Sequence, residues 1–266
     1  MRAIRANARV GFTWIVCGWR MVRHDRDLWL GMAVIYLLLA YLLRLIPFMG
    51  DLVLVLLTPL LLAGALLTAR AREARHAGVA PPESAPAAGA PWRRYLDDYL
   101  RLPARHLFQV FRHEDKIVAA VLVAILTLGL VMLAKIAEYL LVGGSALAGL
   151  NPAELAAAAR PATLLGLLVA TTLYVALTMG LFYLVPLTML GDMPPMAAIA
   201  ESFSACVRNA LPLALFTTAF FLLYALIAAA FGLAHWLGYL LVFSLGPVAL
   251  SVFVAGVYCS YKNLYG

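Results

Sequence analysis

Few residues in this sequence could do chemistry, and the clearest pair is Lys135 with Glu138. Spaced three apart, they share one face of a helix. Charged residues within an apolar run suggest function by default, here gating of ions or protons. Both sit in the outer third of their run, however, where long side chains reach the interface, so the first reading is a structural pair or rim anchor. Arg44 and Asp51 flank a turn and read as interfacial anchors. Pro59, Pro186 and Pro247 interrupt apolar runs, remove backbone hydrogen bonds and predict kinks. Thr171, Thr172, Thr178, Thr217, Thr218 and Ser244 could bond freed carbonyls or neighbouring helices. The alternative is that Thr171, Thr172, Thr217 and Thr218 line a polar transport cavity.

No constellation rises to catalysis. Ser145 follows Gly143-Gly144 in an expected outer turn, but no Asp-His-Ser order accompanies it. His-Glu-x-x-His, a phosphate-binding loop and a dinucleotide fingerprint are all lacking from the sequence. Cys17, Cys206 and Cys259 are dispersed, without Cys-x-x-Cys or Cys/His metal spacing. All three fall on the half expected to face a reducing compartment, so no disulfide is expected. The sequence therefore reads as a non-enzyme, with no cofactor and no metal.

The elements that position these residues follow from composition. The chain has 266 residues, 65% hydrophobic and 12% charged, with a mean hydropathy of +0.93. A soluble domain carries roughly 25% charged residues, so this chain lacks the polar surface to cover a globule. Disorder is excluded by the same figures. The reading is an all-α polytopic membrane protein.

A crossing helix needs about 20 apolar residues. The candidate spans are 28–46, 52–69, 117–142 and 161–190, then two within the uncharged run 209–261, near 211–231 and 236–258. Gly232, His235 and Gly238 mark the break in that run. Of 20 Lys and Arg, 17 fall before Asp27, between Arg70 and Lys116, at Arg208 or at Lys262. These regions share one side, which the bias of Lys and Arg makes cytoplasmic, with both termini there. The net charge of +7 thus records orientation first and attraction to anionic lipid headgroups second. Nucleic-acid binding is disfavoured, since no motif accompanies the charge. The Arg-rich start resembles a signal peptide, but lacks a small-residue cleavage site and reads as retained.

The basic segments carry helical periodicity. Ile4, Ala8, Phe12, Ile15, Trp19 and Val22 form one apolar stripe among arginines; Trp92, Tyr95, Leu96, Tyr99 and Leu100 form a second opposite Arg93, Arg94 and Arg101; Met196, Ile199, Ala200, Phe203 and Val207 form a third. Each either packs on the bundle rim or lies in the membrane interface. Trp19, Arg20, Arg23, Trp92, Arg93, Arg94, Arg112 and Arg208 are the candidate contacts to lipid or to a protein partner. The linker 77–91 has four prolines and no periodicity, and reads as flexible or polyproline-like. Before each odd-numbered span stands an Arg followed by His or Asn (Arg23-His24, Arg112-His113, Arg208-Asn209), and each even-numbered span holds an internal proline. One reading is three repeats of short helix plus hairpin. The other is that orientation alone places the arginines.

Gly18-Trp19-Arg20 with Arg23, Ile46-Pro47, and Leu57-Thr58-Pro59 with Gly64 resemble an uncharacterised family of proteobacterial six-helix inner-membrane proteins. The C-terminal likeness is more specific: Ala198, Glu201-Ser202-Phe203, Cys206-x-Arg208-Asn209-x-x-Pro212 and Tyr258-x-Ser260-Tyr261-Lys262. The linker is longer than the family's, and Asn263 stands where an acid is usual. In plan the family is similar to the membrane domain of some glycerophosphodiesterases, without the hydrolytic domain. The resemblance implies a bacterial inner-membrane location and the six-span fold, and no activity.

Overall fold

A computed structural model of the chain describes residues 3–47, 49–79, 100–142 and 161–266. In chain order its helices are α1 (Val10–His24), α2 (Arg26–Arg44), α3 (Met49–His76), α4 (Leu102–Leu107) with a 3-10 turn (Gln109–Arg112), α5 (Glu114–Val142), α6 (Pro161–Phe182), α7 (Leu184–Met189), α8 (Pro195–Arg208), α9 (Ala210–Leu233) and α10 (His235–Tyr265). No strand occurs among the described residues. Six helical segments are long and apolar enough to cross a membrane, α6 and α7 together making one of them. This is what apolar backbone requires in lipid, where each N–H and C=O must be bonded within its own segment. The protein is all-α and polytopic.

The expected turns are present. Between α9 and α10 the break is a single extended residue, Ala234 (φ −159°, ψ 127°). Gly238 permits the tight return, because a Cβ there would run into the Phe231 ring. At the first hairpin Gly50 lies against the Leu43 carbonyl, with no room for a side chain. Arg44 and Asp51 pair across that turn at 3.7 Å, both exposed.

The three short helical segments follow one packing rule. α1 packs along α10 and α9; α4 packs on α2 and α3; α8 packs on α6 and α7. Each rests on the hairpin that precedes it in sequence, and the first rests on the last, so the order is cyclic. Inside the ring α3 contacts α2, α5 and α10 and is the most enclosed span. Phe182, Phe216, Phe220 and Phe253 form an aromatic cluster with centroids 5.1–6.5 Å apart where α6, α9 and α10 approach.

α1 and α8 bury faces that depart from the expected stripes, sharing Val22 alone with them. α1 buries Gly11, Trp14, Gly18 and Val22, while Phe12 and Trp19 are exposed. α8 buries Ala198, Ser202, Ala205 and Cys206, and exposes Met196, Phe203 and Val207. Packing between helices in lipid favours small residues because they admit close backbone approach. A Cβ on Gly18 would come within 2.7 Å of the Val252 carbonyl oxygen.

That close approach overturns one expectation. Cys17 and Cys259 form a disulfide, with Cα atoms 6.3 Å apart across 242 residues of sequence. Dispersal along the chain and the expected compartment both argued against it. Packing of α1 on α10 through glycines places the two cysteines face to face. Cys206 remains a free, buried thiol.

Candidate functional site

The residues of the two C-terminal motifs meet at the face of the bundle where the chain termini lie. The N-terminal strip 3–9 is sewn there: the Ile4 N–H donates to the Leu264 carbonyl at 3.1 Å, and the Ala3 N–H to Glu201 Oε1 at 3.0 Å. Asn209, fully buried, ends α8 and holds the strip on both sides. Its Oδ1 accepts from the Ala6 N–H at 2.7 Å, and its Nδ2 donates to the Ile4 and Ala205 carbonyls, each at 3.1 Å. Pro212 lies against Gly11. Tyr265 donates to Glu201 at 3.4 Å.

Ser202 performs the main structural chemistry of this face. Its hydroxyl donates to the Met179 carbonyl at 2.7 Å and accepts from the Tyr183 N–H at 2.9 Å. Residues 179 and 183 would otherwise bond each other in the i to i−4 ladder. A side chain inserted there is a direct cause of a helix break, and α6 gives way to α7 at this point, just before Pro186. Tyr183 continues the seam by donating to Ser260 at 3.1 Å. Gln109 acts similarly one unit earlier: its Nε2 donates to the Gly64 carbonyl at 2.7 Å and to Thr68 at 2.9 Å. In both cases a polar side chain of a short segment bonds the proline-bearing span of the preceding hairpin.

Charge closes the face. Glu73 accepts from Tyr258 at 2.7 Å and pairs with Lys262. Asn263 accepts from the Trp14 indole at 3.4 Å. Lys116 donates to the Met189 carbonyl at 2.6 Å and to Asp192 at 2.8 Å. Asp192 is the described non-glycine residue with positive φ, 51°. Asp25 sits 3.8 Å from both Arg72 and His76, with the His24 ring edge-on to His76. Burial pushes the Cys206 thiol up to about 12, so it stays protonated and inert at neutral pH.

The candidate contacts are dispersed around this face. Trp19, Arg20, Arg23, Arg112 and Arg208 are all exposed. Trp92, Arg93 and Arg94 lie outside the described residues, as do Ser145 and residues 151–154. Lys135 and Glu138 pair at 2.8 Å on the exposed surface of α5. Thr171, Thr172, Thr217 and Thr218 are also exposed, and Thr172 and Thr217 bond carbonyls one turn back in their own helices. None of the four lines either cavity described next.

One cavity, about 280 Å³, lies between α2, α3 and α10 and is lined by Trp29, Met32, Tyr36, Thr58, Leu61, Val254 and neighbours. Another, about 240 Å³, lies between α1, α9 and α10 beside Phe220 and Leu223. Both linings are almost wholly apolar. No cluster of three or more His, Cys, Asp or Glu able to hold a metal occurs among the described residues. Comparison with family models, curated proteins and solved structures gives no match.

Sequence reasoning missed the roles of Ser202, Gln109 and Glu73, and it expected a cavity between kinked spans but lined it with the wrong residues. The partners are distant in sequence; for Ser202 and Gln109 the available signal was a polar residue of a short segment next to a proline-bearing span.

Proposed function

We propose that this chain is a non-enzymatic component of a bacterial inner membrane, both termini cytoplasmic, whose basic face holds anionic lipid headgroups. The observation that carries the reading is the outward face of the short segments. They leave Phe12, Trp19, Phe111, Phe203 and Val207 exposed, with Arg20, Arg23, Arg112 and Arg208 on the same segments and also exposed. Aromatic side chains beside arginines suit the interface, where rings sit at headgroup level and each arginine adds about 1 kcal/mol of attraction to an anionic surface. The test uses the full chain in vesicles of phosphatidylethanolamine with or without phosphatidylglycerol, counting retained lipids by native mass spectrometry. Phosphatidylglycerol is enriched, and Arg20→Gln or Arg208→Gln lowers its retention about fivefold. Equal retention of both lipids overturns the reading.

A second reading, a lipid-handling protein or transporter with a cavity between kinked spans, is favoured by the cavity beside α3 and α10, the spans that contain Pro59 and Pro247.

A further inference from the structure

Trp29 is 1% exposed, lines the larger cavity, and has an indole N–H with no acceptor among the described residues. The other polar groups on the lining are engaged. Tyr36 and Thr58 share a hydrogen bond at 3.1 Å, and Thr58 donates to the Leu54 carbonyl. Ser251 is placed to donate to the Trp29 and Pro247 carbonyls at 3.0 and 2.8 Å. Water is a poor occupant, because a buried water needs two to four polar partners and the lining presents almost no polar surface. An empty space of this size is equally foreign to a packed interior.

Depth identifies the occupant. α2 starts at the face where the termini lie. At 1.5 Å per residue Trp29 stands about 5 Å into that helix and Tyr36 about 15 Å. The cavity thus runs from the interface toward the middle of a hydrocarbon core about 30 Å thick, and it is partly open to its surroundings. A lipid of the adjacent leaflet has the matching chemistry, with an ester carbonyl at interfacial depth and a hydrocarbon chain below it.

We infer that this cavity takes one acyl chain of a membrane lipid, with the Trp29 indole donating to the lipid's ester carbonyl. The indole N–H is itself covered, so donation requires the ring to turn toward the cavity. The inference rests on the lipid-handling reading and is independent of the headgroup reading.

The experiment places the full chain in neutral phosphatidylethanolamine vesicles doped with phosphatidylethanolamine bearing a mid-chain diazirine, and maps photolabelled peptides. The label concentrates on α2, α3 and α10. Trp29→Phe keeps the ring, removes the donor and lowers labelling about two- to tenfold, the worth of one hydrogen bond. Leu62→Trp fills the cavity and abolishes the focus, whereas Leu223→Trp, at the other cavity, leaves it intact. Label spread evenly over outward residues such as Phe221 and Leu222, and unmoved by Trp29→Phe, overturns the proposal. If Leu62→Trp does not fold, Trp29→Phe decides alone. Focused label without any preference for anionic lipid defeats only the headgroup reading; anionic preference without focused label defeats only this inference.

Discussion

At the scale of single residues, buried polar side chains hold the terminal face together, and their removal has distinct consequences. Asn209 satisfies Ala6, Ile4 and Ala205 at once. Asn209→Ala leaves buried backbone groups unpaired, at about 1–3 kcal/mol each where water cannot reach. The expected result is release of the N-terminal strip, read as faster amide exchange over residues 3–9 and tryptic cleavage at Arg5 and Arg9. Cys206 gives a pH prediction. Its thiol is pushed up to about 12 by burial, so the reactive thiolate is scarce below that pH. An ordinary cysteine, with a pKa near about 8.5, gains thiolate steadily between neutral pH and 9. Maleimide labelling of the folded protein at Cys206 stays near zero over that range; labelling as fast as that of an ordinary cysteine would show that the thiol is solvated.

At the scale of elements, the short helices act as clasps between hairpins, and their glycines set the distance. Gly11 lies against the Pro212 carbonyl and Gly64 against that of Leu107, with no room for a Cβ at either position. Gly64→Ala therefore pushes α4 off α3 and weakens the Gln109 bond to the Gly64 carbonyl. Overpacking of this kind costs about 1–3 kcal/mol, measured as a lower midpoint of denaturant unfolding in detergent. Gly129→Ala, where a Cβ meets nothing within 4 Å, is the matched control and leaves the midpoint unchanged or raises it.

At the scale of the whole molecule, six crossings bring the two ends of the chain to one side, and the Ile4–Leu264 hydrogen bond joins them. Reporter fusions at Asn151 and at the C-terminus should report opposite sides of the membrane; agreement between them would remove the six-span topology. The disulfide adds a second whole-chain constraint. In protein extracted without reductant, Cys17 and Cys259 resist alkylation together and become reactive together once reductant is added. Alkylation of Cys17 and Cys259 before any reductant is added would show that the pair is held reduced in the membrane.

The sequence by itself determined the solvent, the helical class, the six spans and their turns, because each depends on properties local to a segment. Apolar length fixes a crossing, and a glycine, a proline or a charge fixes its end. Those rules placed the Lys135–Glu138 pair, and the starts of α2, α5 and α9 to within three residues. The tertiary structure alone decided which face of each short helix turns inward. Periodicity marks an apolar stripe, but the close packing of α1 on α9 and α10 turns Gly11, Trp14 and Gly18 inward and leaves Phe12 and Trp19 outward. It also decided that each short helix clasps the preceding hairpin, that Ser202 opens the ladder of α6, that Cys17 meets Cys259, and that a cavity with one unpartnered donor lies between α2, α3 and α10. These join residues far apart in the chain, and no local spacing encodes which distant surfaces will meet.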